Sequence, residues 1–201
     1  MKHKTVAGAL VSKDRGESWE PHGELLNPKT WLIEGTVAML SNNHVMQLFR
    51  TSNNSIYRSV SPNSGVTWSD AKPIGIPNPD SKINVLHLKS KSNSDLALAF
   101  NDNPLREGKH VRFDRGRNRL RIALSNDDGR TWTRVALLEL GDNKHYYHYP
   151  TMHQDGCRLL VVYSVMQARP AQQKLHGVGG IMIAEINLKG HVDCSCDLPP
   201  Q

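Results

Sequence analysis

The sequence predicts an all-β fold, and specifically a part of a β-propeller made of four-stranded antiparallel blades. One eight-residue phrase occurs three times, as SKDRGESW from Ser12, SPNSGVTW from Ser61 and SNDDGRTW from Ser125. The tryptophans that close the phrases are 49 and 64 residues apart, which is the length of one propeller blade. Between them, short apolar or alternating runs such as HVMQLFRTS and RLRIALS are typical of strands separated by turns.

The repeated phrase has a local structural explanation. Its Ser and its Asp or Asn can bond to nearby backbone in a tight turn, and its Gly supplies a positive φ. The closing Trp can then pack back under the hairpin. We interpret the phrase as a hairpin staple that carries no chemistry of its own.

Taken in order along the chain, the elements predict about three and a half blades. A half blade covers residues 1–26, and three blades cover about 31–76, 83–140 and 147–188, before a polar C-terminal tail at 191–201. Propellers normally close into a ring, which protects the sheet edges. The chain is therefore interpreted as the C-terminal part of a larger propeller, and its open edges predict self-association as one way of covering them.

Composition narrows the range of partners. No apolar run approaches the roughly 18 residues of a membrane span, so none is predicted. The net charge of +6 suits an acidic partner, although the basic stretch at 106–121 is interpreted as a solvated loop and nucleic acid is not expected. No targeting segment is recognised, so the sequence leaves the localisation open.

No cofactor or metal site is predicted. The three cysteines Cys157, Cys194 and Cys196 form no even framework and argue against a fold built on disulfides. Two thiols in a polar tail fall short of the four ligands that zinc usually takes. Three histidines near residue 150 also lack a zinc-like spacing.

The phrase Ser-x-Asp-x-Gly-x-Thr-Trp is the Asp box, and the segments between the boxes resemble the sialidase (neuraminidase) superfamily. The resemblance is carried by WLIEGTVAMLSNNHVMQLFRTS, LALAFND and YHYPTMHQDGCRLLVVYS, and it covers about residues 5–188. It implies a six-bladed propeller of which this chain is part. It also implies a retaining exo-glycosidase that removes terminal sialic acid, or a related acidic sugar, from a glycan.

The same resemblance implies the site residues. Tyr149 matches the nucleophile, and Glu34 matches the base that takes its proton. A tyrosine suits this role because a neutral phenol approaches an anomeric carbon bearing a carboxylate without charge repulsion. Arg50 and Arg117 match two arginines that bind the substrate carboxylate, a task suited to a planar guanidinium. Arg115 is the alternative to Arg117, and a buried core tyrosine is the alternative interpretation of Tyr149.

The pattern of the family is incomplete in this sequence. The family's first arginine and its Asp general acid come from the first two blades, whose motifs are not found here. Loss of a general acid costs about 100- to 10,000-fold in rate, so we expect a weak enzyme at best. The alternative is a non-catalytic propeller that binds glycan or protein. Asn84 stands where relatives often have Asp, which puts one pocket contact in doubt.

Overall fold

A computed structural model describes residues 6–103, 116–141, 144–167 and 179–194. Within these ranges the chain folds entirely as β-strands and turns, and no helix long and apolar enough to cross a membrane is found. The strands are β1 Ala7–Val11, β2 Glu20–Leu25, β3 Ile33–Met39, β4 Val45–Arg50, β5 Ser55–Ser61, β6 Lys72–Pro77, β7 Asn84–His87, β8 Leu96–Asn101, β9 Leu120–Ser125, β10 Thr133–Leu137, β11 His145–Asp155, β12 Arg158–Gln167 and β13 Gly179–Asn187.

The strands form four antiparallel sheets in which neighbours along the chain pair with each other. The sheets are β1–β2, β3 to β6, β7 to β10 and β11 to β13. Over the ranges that the structure describes, the sheets do not close into a ring, and the prediction of an all-β, partial propeller is confirmed. We propose that these sheets are the blades expected at 1–26, 31–76, 83–140 and 147–188. The last sheet has three strands among the described residues.

The hydrophobic core lies between successive sheets. β4 and β8 are the second strands of their blades, and Phe49 and Phe100 within them are almost completely buried. Their sequences, VMQLFR and LALAFN, are almost continuously apolar because both faces are covered by neighbouring sheets. This packing fixes the innermost strands of the blades, β3, β7 and β11, relative to one another.

Asn84 joins these three innermost strands. Its Oδ1 accepts a hydrogen bond from the Met152 amide on β11 at 2.8 Å, and its Nδ2 donates to Thr36 Oγ1 on β3 at 3.3 Å. The amide of Val85 donates to the same Thr36 oxygen at 3.2 Å. Asn84 therefore acts as a structural link between blades.

The three Asp boxes lie in the hairpins β1–β2, β5–β6 and β9–β10, on the outer strands. In the third box, Ser125 Oγ accepts the Gly129 amide at 2.9 Å and Asp127 Oδ1 accepts the Thr131 amide at 2.9 Å. Burial raises the pKa of Asp127, but the hydrogen bonds from Thr131 and Ser125 outweigh it and lower the pKa to about 2. Trp132 Nε1 donates to the Gly129 carbonyl at 3.2 Å, which closes the staple.

An odd number of cysteines did not predict a disulfide, yet Cys157 and Cys194 form one, with their Cα atoms 5.5 Å apart. The bond joins the turn between β11 and β12 to the segment after β13. It was missed because the partners are 37 residues apart and meet only once the last sheet has formed. Cys196 lies outside the described residues.

Candidate functional site

Glu34 lies in a β-bulge near the start of β3. Ile33 pairs with Arg50, but the next partners are Thr36 and Leu48, so β3 carries one residue more than β4 between these two pairs. Bulges redirect side chains and are common next to active sites. Here the bulge places Glu34 beside the last residue of the adjacent strand.

Tyr149 lies in a matching bulge on β11. His148 pairs with Ser164, and the next partners are Thr151 and Val162, so β11 again carries one extra residue. Two blades thus use the same device on their innermost strands. In both, the extra residue is one that the family resemblance assigns to the site.

Three site residues have left-handed backbone conformations. The φ angles of Glu34, Asp80 and Tyr149 are 50°, 52° and 56°. Such angles are uncommon outside glycine, and each costs on the order of 1–3 kcal/mol, so it persists only where the surrounding structure imposes it. Gly35 follows Glu34 because any side chain there would collide with the Gln47 amide. The backbone is therefore built around these positions.

Arg50 links two carboxylates. Its Nη1 donates to both oxygens of Glu34 at 3.0 Å, and its Nε donates to Asp80 Oδ1 at 2.8 Å. The residue is only 4% exposed. Burial alone would lower the pKa of Arg50, but the hydrogen bonds and charges of Asp80 and Glu34 raise it overall. The guanidinium is therefore a fixed positive charge that orients both acids.

Tyr149 is exposed to solvent and contacts this cluster. Its hydroxyl donates to Glu34 Oε1 at 3.2 Å, and the residue is 42% exposed. Tyr147, two residues earlier, packs instead against the core between the last two sheets, with its ring edge-on to Tyr163 at 6.2 Å between centroids. The exposure of Tyr149 excludes its interpretation as a buried core tyrosine.

Arg117 reaches the cluster from the loop before β9. Its Nη2 donates to the backbone carbonyl of Asp80, and its own carbonyl accepts the Tyr147 amide at 2.6 Å. Gly116 allows this approach because a side chain there would meet the ring of Pro79. Burial first, and then the charge of Arg50, lower the pKa of Arg117, while Asp80 partly offsets them.

Arg115 lies outside the described residues, so its comparison with Arg117 stays a prediction. Arg121, on β9, pairs through Nε with Asp102 at 2.9 Å. Arg121 therefore serves the third sheet and not the cluster.

Asp80 was missed by sequence reasoning. It ends the segment PNPD just before β7, where Asn78 makes two hydrogen bonds with the buried Ser81. The available signal was a dense turn sequence directly before an innermost strand, close to the position that Glu34 takes in the preceding blade. Lys82 was also missed; its Nζ donates to the carbonyl of Pro150 at 3.2 Å.

The cluster carries a formal excess of one positive charge. Arg50, Arg117 and Lys82 stand against Glu34 and Asp80. Among the described residues, no group of three or more His, Cys, Asp or Glu is arranged to hold a metal ion. The arrangement suits an anionic ligand next to a phenol whose proton can pass to a carboxylate.

A separate cavity of about 420 Å³ lies at the turn between β11 and β12, lined by Asp155, Gly156, Cys157, Arg158, Glu185, Asn187 and Lys189. Asp155 is six residues along β11 from Tyr149, which is about 20 Å in an extended strand. The cavity is therefore distinct from the arginine cluster, which remains the candidate site.

Stacked antiparallel sheets, with a tyrosine, two acids and two arginines brought together where they meet, define the class of this chain as part of a β-propeller. The model of the BNR repeat-like domain family matches residues 1–161, and the chain belongs to this family. No match was found among curated proteins.

Solved structures confirm the fold. A Dyadobacter fermentans protein of unknown function is 20% identical with a TM-score of 0.65, covering 92% of this chain and 46% of its own. A leech intramolecular trans-sialidase is 16% identical with a TM-score of 0.63, covering 89% and 27%. A Trypanosoma rangeli sialidase is 14% identical with a TM-score of 0.63, covering 90% and 27%. The chain thus spans less than half the length of each of these proteins.

Proposed function

We propose that this chain forms the nucleophile side of a retaining exo-glycosidase site for a terminal acidic sugar of the sialic acid class. The observation that carries the proposal is the hydrogen bond of 3.2 Å from the exposed Tyr149 hydroxyl to Glu34, whose two oxygens are held by Arg50. This is the arrangement of a nucleophile, its base and a group that orients the base.

In the first step, the Tyr149 oxygen attacks the anomeric carbon while its proton passes to Glu34. A bond forms between the phenolic oxygen and that carbon, and the bond to the leaving oxygen breaks. Water then attacks the same carbon from the side opposite the tyrosyl bond, and that bond breaks. Glu34 returns its proton to the phenolic oxygen, and the proton that the water loses passes to the solvent or to the departed leaving group. Two inversions at one carbon give retention of configuration.

The buried arginines supply the positive environment for the sugar carboxylate. Arg117 and Arg50 are 5% and 4% exposed, and their charges lie in a partly dehydrated site where electrostatic attraction is stronger than in water. Arg50 also fixes Glu34, so we propose that it combines binding with positioning. We assign protonation of the leaving oxygen to none of the described residues.

The decisive experiment uses substrates whose leaving groups need no general acid. A sialosyl fluoride with a second fluorine at C3 should leave a covalent sugar adduct on Tyr149, detected by peptide mass spectrometry. Hydrolysis of an aryl sialoside by the purified chain should be abolished by Tyr149→Phe. The matched control is Tyr146→Phe, because Tyr146 lies three residues away on the same strand.

A neutral aryl glycoside tests whether the site is specific for an acidic sugar. Turnover of the sialoside alone supports the acidic-sugar assignment, whereas turnover of the neutral glycoside alone would reject it and retain a glycosidase. A folded chain that forms no adduct and turns over no sialoside would remove the enzymatic proposal.

A second candidate is a non-catalytic propeller that binds an acidic glycan. It is favoured by the fact that Arg50 already bonds to two protein carboxylates, which reduces its capacity for a substrate carboxylate. Calorimetric binding of a sialylated oligosaccharide, lost in Arg117→Met and accompanied by no adduct on Tyr149, would favour this function.

Self-association through the open edges stays a prediction. Ile181 and Ile183 on β13, the outermost strand of its sheet among the described residues, are 68% and 69% exposed, which is unusual for isoleucine. Light scattering coupled to size exclusion measures the mass of the particle directly. A mass of one chain at all concentrations would contradict the prediction.

A further inference from the structure

We infer that Lys82 is a positioning residue that holds the Tyr149 bulge in place across the boundary between two blades. Lys82 directly precedes the buried Ile83 before β7, and its Nζ donates to the carbonyl of Pro150 at 3.2 Å. Pro150 is the residue after Tyr149 in the β11 bulge. The inference rests on the proposed function for its catalytic consequence, but not for its structural test.

The contact continues a regular pattern between the two innermost strands. Asn84 bonds to the Met152 amide at 2.8 Å, and Lys82, two residues before Asn84, bonds to the carbonyl of Pro150, two residues before Met152. Side chains two residues apart on an extended strand point the same way. Lys82 is therefore the member of this pattern that lies nearest to Tyr149.

The bulge needs such support. Tyr149 has a φ of 56°, which is unfavourable for a bulky residue. The extra residue of a bulge interrupts the ladder of backbone hydrogen bonds, and proline contributes no N–H. Neither Tyr149 nor Pro150 forms a regular pair with a residue of β12. The ammonium group of Lys82 therefore supplies a hydrogen bond to the Pro150 carbonyl where the regular pairing is interrupted.

Lys82 also places a positive charge close to Glu34. Burial lowers the pKa of Lys82, and the charge of Glu34 opposes this effect. The residue that contacts the backbone of the nucleophile's bulge therefore also lies within electrostatic reach of the acid that bonds to Tyr149.

The test follows Tyr149 by ¹⁹F NMR in protein labelled with 3-fluorotyrosine. The chain has five tyrosines, so the Tyr149 resonance can be assigned from its absence in Tyr149→Phe. In Lys82→Met we expect the Tyr149 resonance to shift or broaden while the other four keep their positions. Lys82→Arg, which keeps the charge and donors, should restore it. Lys72→Met, at an exposed position on β6, is the matched control.

Kinetics supply a second readout wherever the chain turns over a sialoside. Misplacement of a nucleophile lowers kcat, so Lys82→Met should lose about 10- to 100-fold in kcat with KM within about threefold. An arginine in place of the lysine should recover most of this loss. A loss confined to KM would assign Lys82 to substrate binding and overturn the positioning role.

The two proposals fail separately. An unchanged Tyr149 resonance in Lys82→Met overturns the inference whether or not the chain is active. An inactive wild-type chain whose Tyr149 resonance still responds to Lys82→Met keeps the inference and removes the enzyme. If Lys82→Met does not fold, Lys82→Gln retains a donor, and an unperturbed Tyr149 resonance in Lys82→Gln with Lys82→Arg perturbed would equally overturn the inference.

Discussion

The outer hairpins and the innermost strands of this propeller differ in how they use repetition. The three Asp boxes repeat Ser, Gly and Trp at the same spacing and make the same bonds, as Gly65 and Gly129 show by donating to Ser61 and Ser125 at 2.8 and 2.9 Å. The innermost strands repeat a backbone device, the one-residue bulge, but fill it with Glu34 in one blade and Tyr149 in another. The residues that the Asp boxes share therefore serve the architecture, whereas the different residues that fill the same bulge in two blades point to the candidate site.

The largest expected effect comes from the proton acceptor on the inner side. Glu34→Gln keeps the shape of the side chain but removes its basicity, so kcat on an aryl sialoside should fall by about 100- to 10,000-fold. Steady-state kinetics measure the change. Glu24→Gln, at an exposed position on β2, should leave kcat unaltered. A Glu34→Gln enzyme with more than half of the wild-type kcat would show that the bulge on β3 carries no chemistry.

Arg50 tests whether an inner residue also serves stability. Arg50→Met leaves the Glu34 and Asp80 carboxylates in a partly buried site without their shared cation, and we expect a loss of about 3 kcal/mol in the free energy of unfolding. Urea denaturation measures it, with Arg130→Met, an exposed substitution, as the control. Adding Glu34→Gln and Asp80→Asn to Arg50→Met should recover part of the loss. No recovery would mean that packing, not charge, sets the cost.

The outer side should show the opposite profile. Asp127→Ala removes the acceptor of the Thr131 bonds and should cost about 1–2 kcal/mol of stability while leaving kcat unchanged. Asp14→Ala in the first box should cost less, because that hairpin is exposed and its Trp19 is 59% exposed. Thermal unfolding of the two variants gives the comparison. Equal losses would indicate that the box acts locally and gains nothing from packing between blades.

The smallest effect is a dependence on pH. The pKa of Asp127 falls from the ordinary 3.8 to about 2 in the folded protein, so its contribution to stability is complete above about pH 4 and is lost as the pH falls towards 2. The difference in unfolding midpoint between the wild type and Asp127→Asn should therefore shrink across this range. A difference that stays constant from pH 5 to pH 2 would contradict the assigned hydrogen bonds.

The sequence predicted features that depend on short-range pattern. The repeated box predicted the hairpins, and the almost continuous apolar run of β8 is what burial on both faces requires. Glu34 and Arg50 were identified because their flanking residues resemble a family, and the β3–β4 hairpin then brings them together across 16 residues.

The remainder depends on contacts that no local pattern encodes. Lys82 and Pro150 are 68 residues apart and meet only because neighbouring blades pack side by side. Asp80 owes its role to a left-handed backbone in a loop, which the letters PNPD permit but do not specify. The Cys157–Cys194 pair likewise depends on the last sheet, which brings together two residues 37 apart in the sequence.

The disulfide gives strand β13 a direction of fraying. Its C-terminal end is held by the Cys157–Cys194 bond, by the fully buried Leu188 and by the Leu188 amide, which donates to the Cys157 carbonyl at 2.8 Å. Its other end, at Gly179, has no comparable anchor among the described contacts. Opening should therefore begin at Gly179 and stop short of Leu188, so that amide hydrogens exchange progressively more slowly along the strand, and a reductant should make this gradient shallower.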